Sequence, residues 1–328
     1  MGEHAIAVEG LRKTFGGSRG KGAPVEALRG IDLTVDPGTV LGVLGPNGAG
    51  KTTAVRILTT LLQPDGGTAR VLGHDVVRDA AAVRRLIGLT GQATAIVDEL
   101  TGLENLEMVG RLNHLTRADA RHRGEQLLEQ FDLADAGGRQ AKTYSGGMVR
   151  RLDLAVGLVA HPPVLFLDEP TTGLDPRSRI GMWDVIRRLV AEGTTLLLTT
   201  QYLEEADELA DDIVVIDRGL VIARGTSEVL KGQVGGDVVE FTVPDASLAA
   251  KAADAVAGLA EGEPAVDAGR GVVSLRVGSR GSEALMDTVR RLDAAGIVSA
   301  GLSLRRPSLD DVFLALTGHV AEEEEVST

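Results

Sequence analysis

The stretch Val40 to Thr53, VLGVLGPNGAGKTT, constrains the chain more than any other. An apolar run of strand length stops at Gly45, a short glycine-rich loop follows, and Val55, Ile57, Leu58, Leu61 and Leu62 then repeat with helical spacing. Gly45 to Thr52 fits G-x-x-x-x-G-K-[ST] without mismatch. Such a strand–loop–helix captures phosphate. Glycines let backbone N–H groups converge on an anion, and the helix N-terminus adds a favourable field. Within it, Gly45, Pro46, Asn47, Gly48, Ala49 and Gly50 are candidate cradle residues, with Lys51 for the β- and γ-phosphates and Thr52 and Thr53 beside them. The Thr52 hydroxyl is a candidate Mg²⁺ ligand. On its own the loop says only that the chain binds a nucleoside triphosphate.

Two carboxylates extend the assignment. Val164-Leu165-Phe166-Leu167 is a continuous apolar run, as expected of a parallel strand buried on both faces, and it ends in Asp168-Glu169. Asp168 stands where a carboxylate can hold Mg²⁺ beside a phosphate loop, and Glu169 can polarise an attacking water as general base. Gln92 and Gln201 each follow a strand, at the edge where ligands gather in open α/β sheets; singly, each also reads as a plain polar cap. Ser145-Gly146-Gly147 opens a helix and offers a second anion cradle, although the tripeptide alone is a weak signal.

At 328 residues the chain is long enough for two domains. Strands alternating with helices through residue 232 predict a mainly parallel sheet, with a helical insert over about 93–160. Within the insert, Thr101-Gly102-Leu103-Glu104 is a capping box. A loose stretch, Gly232 to Gly236, separates a segment 237–318 with the order βαββαβ, and an acidic tail, 319–328, follows. There is no cysteine, so disulfides and thiol chemistry are excluded. The net charge of −13 argues against nucleic acid as a partner. No apolar run approaches the roughly 18 residues of a membrane span, so a membrane role would need a separate subunit.

The order of five motifs resembles the ATP-binding subunits of ABC transporters: the phosphate loop, Gln92, Ser145-Gly146-Gly147, Val164 to Glu169, and Gly173-Leu174-Asp175. The stretches Gly88 to Gln92 and Val97 to Gly102, Thr199 to Asp207, and Pro307 to Phe313 look like the drug-efflux branch typified by the daunorubicin-resistance ATPases of actinobacteria. The resemblance covers nearly the whole chain. It implies an α/β P-loop ABC-type nucleotide-binding domain, with a mainly parallel sheet, an antiparallel subdomain and a helical insert, joined to a small C-terminal α+β ferredoxin-like domain of regulatory or partner-binding use. It further implies ATP hydrolysis with Mg²⁺ coupled to export of a drug-like molecule, a homodimer closed over two ATP molecules, and an integral membrane permease holding the chain at the cytoplasmic face.

Residue by residue, the resemblance implies that Phe15 stacks on adenine, with a core phenylalanine as the alternative. Gln92 would contact Mg²⁺ and the attacking water, and Ser145, Gly146 and Gly147 the γ-phosphate of the nucleotide on the other copy. Asp175 would link the two sites. Three positions depart from the pattern: Tyr144 for a leucine, Met148 for a glutamine, and Gln201 for the switch histidine. Glutamine can hydrogen-bond phosphate but has no proton that titrates near neutral pH, so slower hydrolysis is expected. The rival readings are an ATP-gated interaction module with little hydrolysis, and a soluble remodelling ATPase of the same family.

Overall fold

The computed structural model describes residues 4–16, 23–91, 95–233, 236–278 and 280–317. They form two compact units that divide between Thr226 and Ser227, ahead of the loose stretch at 232–236.

The first unit begins with a long hairpin, β1 (Ile6–Phe15) and β2 (Val25–Val35). Then come β3 (Val40–Leu44), α1 (Lys51–Leu58), β4 (Gly66–Val71), β5 (His74–Asp75), α2 (Ala80–Leu86) and β6 (Ile87–Thr90). The helical insert carries α3 (Gly102–Leu112), α4 (Arg117–Gln130) and α5 (Gly146–Gly157). β7 (Val164–Asp168), α6 (Pro176–Ala191), β8 (Thr195–Thr200), α7 (Leu203–Leu209), β9 (Asp212–Asp217) and β10 (Leu220–Gly225) complete it.

Two sheets result. The antiparallel one has the order β2-β1-β4-β5, and the other, β10-β9-β3-β8-β7-β6, is parallel except for β10. The apolar runs of β3, β7 and β8 are buried along their whole length. Alternate residues serve different cores: Leu165 and Leu167 pack with the helical insert and α6, Val164 and Phe166 with α1 and the antiparallel sheet. This two-sided burial is why these strands read as continuous apolar runs.

Register positions the site. Leu44 pairs with Thr200, Asp168 with Thr199, and Thr90 with Leu167. The phosphate loop, Glu169 and Gln201 therefore leave the parallel sheet at one edge, the carboxyl ends of the strands.

The second unit contains α8 (Ser227–Gln233), β11 (Asp237–Thr242), α9 (Ala249–Val256), β12 (Ala265–Asp267), β13 (Val272–Gly278), α10 (Gly281–Ala294), β14 (Ala300–Arg305) and α11 (Leu309–Thr317). Its antiparallel sheet has the order β12-β13-β11-β14, with α9 and α10 packed on the face of Val239, Phe241, Val273 and Leu275. That is the expected ferredoxin-like arrangement, and α8 and α11 are additions that pack on each other. The acidic tail lies outside the described residues.

Candidate nucleotide site

The phosphate loop is shaped by close backbone approaches. A Cβ on Gly45 would meet the Ile216 carbonyl oxygen at 2.1 Å, and one on Gly50, at φ 114°, the Ala27 carbonyl oxygen at 2.5 Å. Only glycine fits at either position. Gly48, by contrast, faces open space. The loop and Lys51, Thr52 and Thr53 line a cavity that Ala27 and Glu169 close.

Lys51 lies 4% exposed at the start of α1. Its ammonium donates to the carbonyls of Gly45 at 2.6 Å and Pro46 at 3.2 Å, and Glu169 Oε1 stands 3.7 Å away. Burial pulls the Lys51 pKa below its ordinary value, and the charges of Glu169 and Asp168 oppose that pull. The Thr52 hydroxyl donates to Asp168 Oδ1 at 3.2 Å, as does the Thr199 hydroxyl at 2.5 Å. Among the described residues no group of three His, Cys, Asp or Glu side chains could hold a metal by itself. The Thr52–Asp168 pair fits Mg²⁺ of the kind that takes its remaining ligands from phosphate and water.

Glu169 is itself in the left-handed region at φ 54°, sparsely used by non-glycine residues and often met at functional sites. Its amide donates to the Thr199 carbonyl at 3.0 Å. Its carbonyl, and that of Pro170, accept from Arg150 at 2.8 and 3.0 Å, and a third Arg150 nitrogen donates to the Gly91 carbonyl at 2.8 Å. Arg150 belongs to α5, the helix that Ser145 opens, so one guanidinium fastens that helix to the turn after β7 and to the residue before Gln92. Sequence reasoning missed Arg150. An arginine in a helix carries no local signal that it will meet three carbonyls from two other segments.

The second cradle is built differently. Ser145 is the N-cap of α5, its hydroxyl accepting from the Met148 amide at 3.3 Å, and both Ser145 and Gly146 are exposed. The preceding Tyr144 is buried, and its hydroxyl donates to the Ala136 carbonyl at 2.8 Å. A Cβ on Gly102 would stand 2.2 Å from that hydroxyl, so tyrosine at the usual leucine position requires glycine across from it. Gly147 packs against α6: a Cβ there would meet Ser178 Oγ at 2.8 Å. Asp175 caps α6, accepting from the Ser178 amide at 3.0 Å and hydroxyl at 2.5 Å, and these bonds hold its carboxyl below the usual range.

The structure thus brings Gly45 to Thr53, Asp168 and Glu169 into one cluster and Ser145 to Gly147 with Asp175 into another. Gln201 follows β8 at the edge of the first cluster, half-buried. Gln92 lies outside the described residues. Phe15 is not among the walls of the phosphate-loop cavity. Its ring is 42% exposed at the end of β1, with Lys13 Nζ 5.8 Å from the centroid.

Comparison with known proteins agrees with this architecture. The ABC transporter family profile matches residues 28–172. Daunorubicin resistance ATP-binding protein DrrA3 of Streptomyces coeruleorubidus is 54% identical, covering 97% of each chain. Daunorubicin/doxorubicin resistance ATP-binding protein DrrA of Streptomyces peucetius is 49% identical, over 97% of this chain and 94% of that one. A solved ATP binding subunit of an ABC transporter superposes with a TM-score of 0.60 at 26% identity, covering 70% of this chain and 92% of its own. With about half of its residues shared along nearly its full length, the chain belongs to the ATP-binding subunits of ABC transporters, in the daunorubicin- and doxorubicin-resistance branch.

Proposed function

We propose that the chain drives efflux of a drug or antibiotic-like small molecule, working as a homodimer closed over two MgATP and docked to a separate membrane permease at the cytoplasmic face. The observation that carries this reading is Lys51, buried between two loop carbonyls and Glu169 with Thr52 and Asp168 beside it. The names of the relatives at 54% and 49% identity supply the substrate class.

The residues divide the work. The loop amides and Lys51 bind the triphosphate, and Lys51 exchanges Glu169 and the loop carbonyls for phosphate oxygens as it does so. That exchange releases the Glu169 carboxylate to accept a proton from water. Mg²⁺, when bound to Thr52, Asp168 and Gln92, neutralises charge on the phosphates. Gln201 hydrogen-bonds the γ-phosphate. Ser145, Gly146 and Gly147 complete the site on the other copy, Asp175 links the two sites, and Phe15 stacks on adenine. Residues 1–232 form this motor domain, and 237–318 are a regulatory or partner-binding extension.

The helical insert supplies the docking surface, where Leu100, Glu104, Met108 and Arg111 border a shallow groove. Among the described residues no helix is long and apolar enough to cross a membrane. The test uses the Glu169→Gln chain in saturating MgATP. Dimers by sedimentation, and recruitment to membranes holding the permease, are expected; a monomer under both conditions overturns the reading. Glu99→Lys should weaken recruitment and spare nucleotide binding. It is a cleaner probe than Glu104, whose carboxylate accepts from the Thr101 amide in the capping box at 2.8 Å.

A further inference from the structure

Behind the nucleotide edge lies a polar cluster that the reaction as described does not use. Glu205, in α7, is completely buried. Its Oε1 accepts from the indole nitrogen of Trp183 at 3.3 Å, and Trp183 is the only tryptophan in the chain. The hydroxyls of Thr200 and Thr171 flank the carboxyl, and Arg179 is its nearby cation. Arg179 stacks on the Tyr202 ring at 4.5 Å and reaches Glu204 at 4.0 Å. Glu205 Oε2, Thr171 Oγ1 and Arg179 Nε are all buried without a hydrogen bond.

The connections give the cluster meaning. Thr200 immediately precedes Gln201. Thr171 lies in the turn that runs from Glu169 to Asp175. Arg179 and Trp183 belong to α6, which Asp175 caps. One carboxyl is therefore shared by the segments that carry Gln201, Glu169 and Asp175. Burial pushes the Glu205 pKa above the usual carboxylate range, against the opposing pull of Thr200, Thr171, Trp183 and Arg179. A buried donor or acceptor without a partner is costly. Thr171 Oγ1 and Glu205 Oε2 are chemically matched partners whose groups already act on each other short of a full hydrogen bond, so a small displacement of the Thr171 turn relative to α7 makes or breaks that contact.

We propose that Glu205 is a positioning residue for ATP turnover, the buried joint through which the Gln201 segment and the Thr171–Asp175 turn move together. This rests on the reading that Gln201 and Asp175 act on bound nucleotide. Glu205 touches no substrate; it acts through Thr171, Thr200 and α6.

The test compares Glu205→Gln, which keeps the shape and the capacity to hydrogen-bond, with Glu205→Met, which keeps the bulk alone, in the full-length chain. Glu205→Met is expected to lower kcat by about 10- to 100-fold, the scale of a small displacement acting on a reacting group, with KM for ATP within about twofold. Glu205→Gln should retain most of kcat. Trp183 emission should shift on MgATP in the parent and in Glu205→Gln, and not in Glu205→Met. Equal losses in both variants, or full activity and an unchanged Trp183 response in Glu205→Met, overturn the proposal. If Glu205→Met does not fold, Thr171→Val carries the same expectations. The parent chain separates the two levels. If Gln201→His and Asp175→Ala both leave its turnover unchanged, the underlying reading fails; if they act and Glu205→Met does not, this inference alone fails.

Discussion

The two candidate phosphate cradles of this chain are made in opposite ways. The first is buried and internally satisfied: Lys51 is 4% exposed, and it, Asp168 and Glu169 have partners within the same chain. The second, at Ser145 and Gly146, is exposed and held only from behind, by Tyr144 in the core and by Gly147 against α6. A cradle that carries its own counter-charges can hold a phosphate alone. One that presents a hydroxyl and helix amides to solvent has the donors but no enclosing wall. On the function proposed above, the buried cradle would bind the triphosphate and the exposed one would add donors to a ligand already gripped by the other copy.

Substitutions in each cradle should give distinct effects. The largest effect is expected for Glu169→Gln, which should cut ATP turnover by about 10²- to 10⁴-fold, the range for loss of a general base, while MgATP binding by equilibrium titration persists. Loss of binding in parallel would mean that the buried cradle, and not proton transfer, depends on the carboxylate. Ser145→Arg should lower turnover about 100-fold, the scale of one lost transition-state donor, with MgATP affinity of the isolated chain unchanged. A fall in that affinity would erase the distinction between the cradles.

The support behind the second cradle is tested by stability. Gly102→Ala should cost about 1–3 kcal/mol in urea unfolding, because the new methyl meets the Tyr144 hydroxyl in a packed core. Adding Tyr144→Leu should recover most of that loss; strictly additive costs would show that the two positions are independent. The smallest effect is reserved for Gln201→His. It should raise turnover by up to about tenfold and introduce a pH dependence between about 6 and 7, read from kcat profiles.

Much of this was legible before any coordinates. The phosphate loop and the strand ending in Asp168-Glu169 announce themselves because their functional residues are contiguous and their strands are buried on both faces. The Thr101 and Ser145 caps are equally local. Arg150 and Glu205 were not legible. Each draws its meaning from partners in distant segments, and neither has a neighbour in sequence that betrays it. The packing of α8 was not legible for a related reason: its partner α11 lies some eighty residues along, and that contact places α8 in the second compact unit, just ahead of the glycine-rich stretch.

By itself, then, the sequence determined the chemistry that short spacings can encode: a triphosphate loop, a strand-end carboxylate pair, helix caps, and an αβ order that leads to a parallel sheet. The tertiary structure decided what those parts rest on. It set the register that puts Gly45, Glu169 and Gln201 at one edge, the arginine that fastens α5 to the turn after β7, and the buried carboxyl shared by Thr171, Thr200 and Trp183. The physical reason is that a hydrogen bond across tens of residues is fixed by packing, which no local spacing specifies.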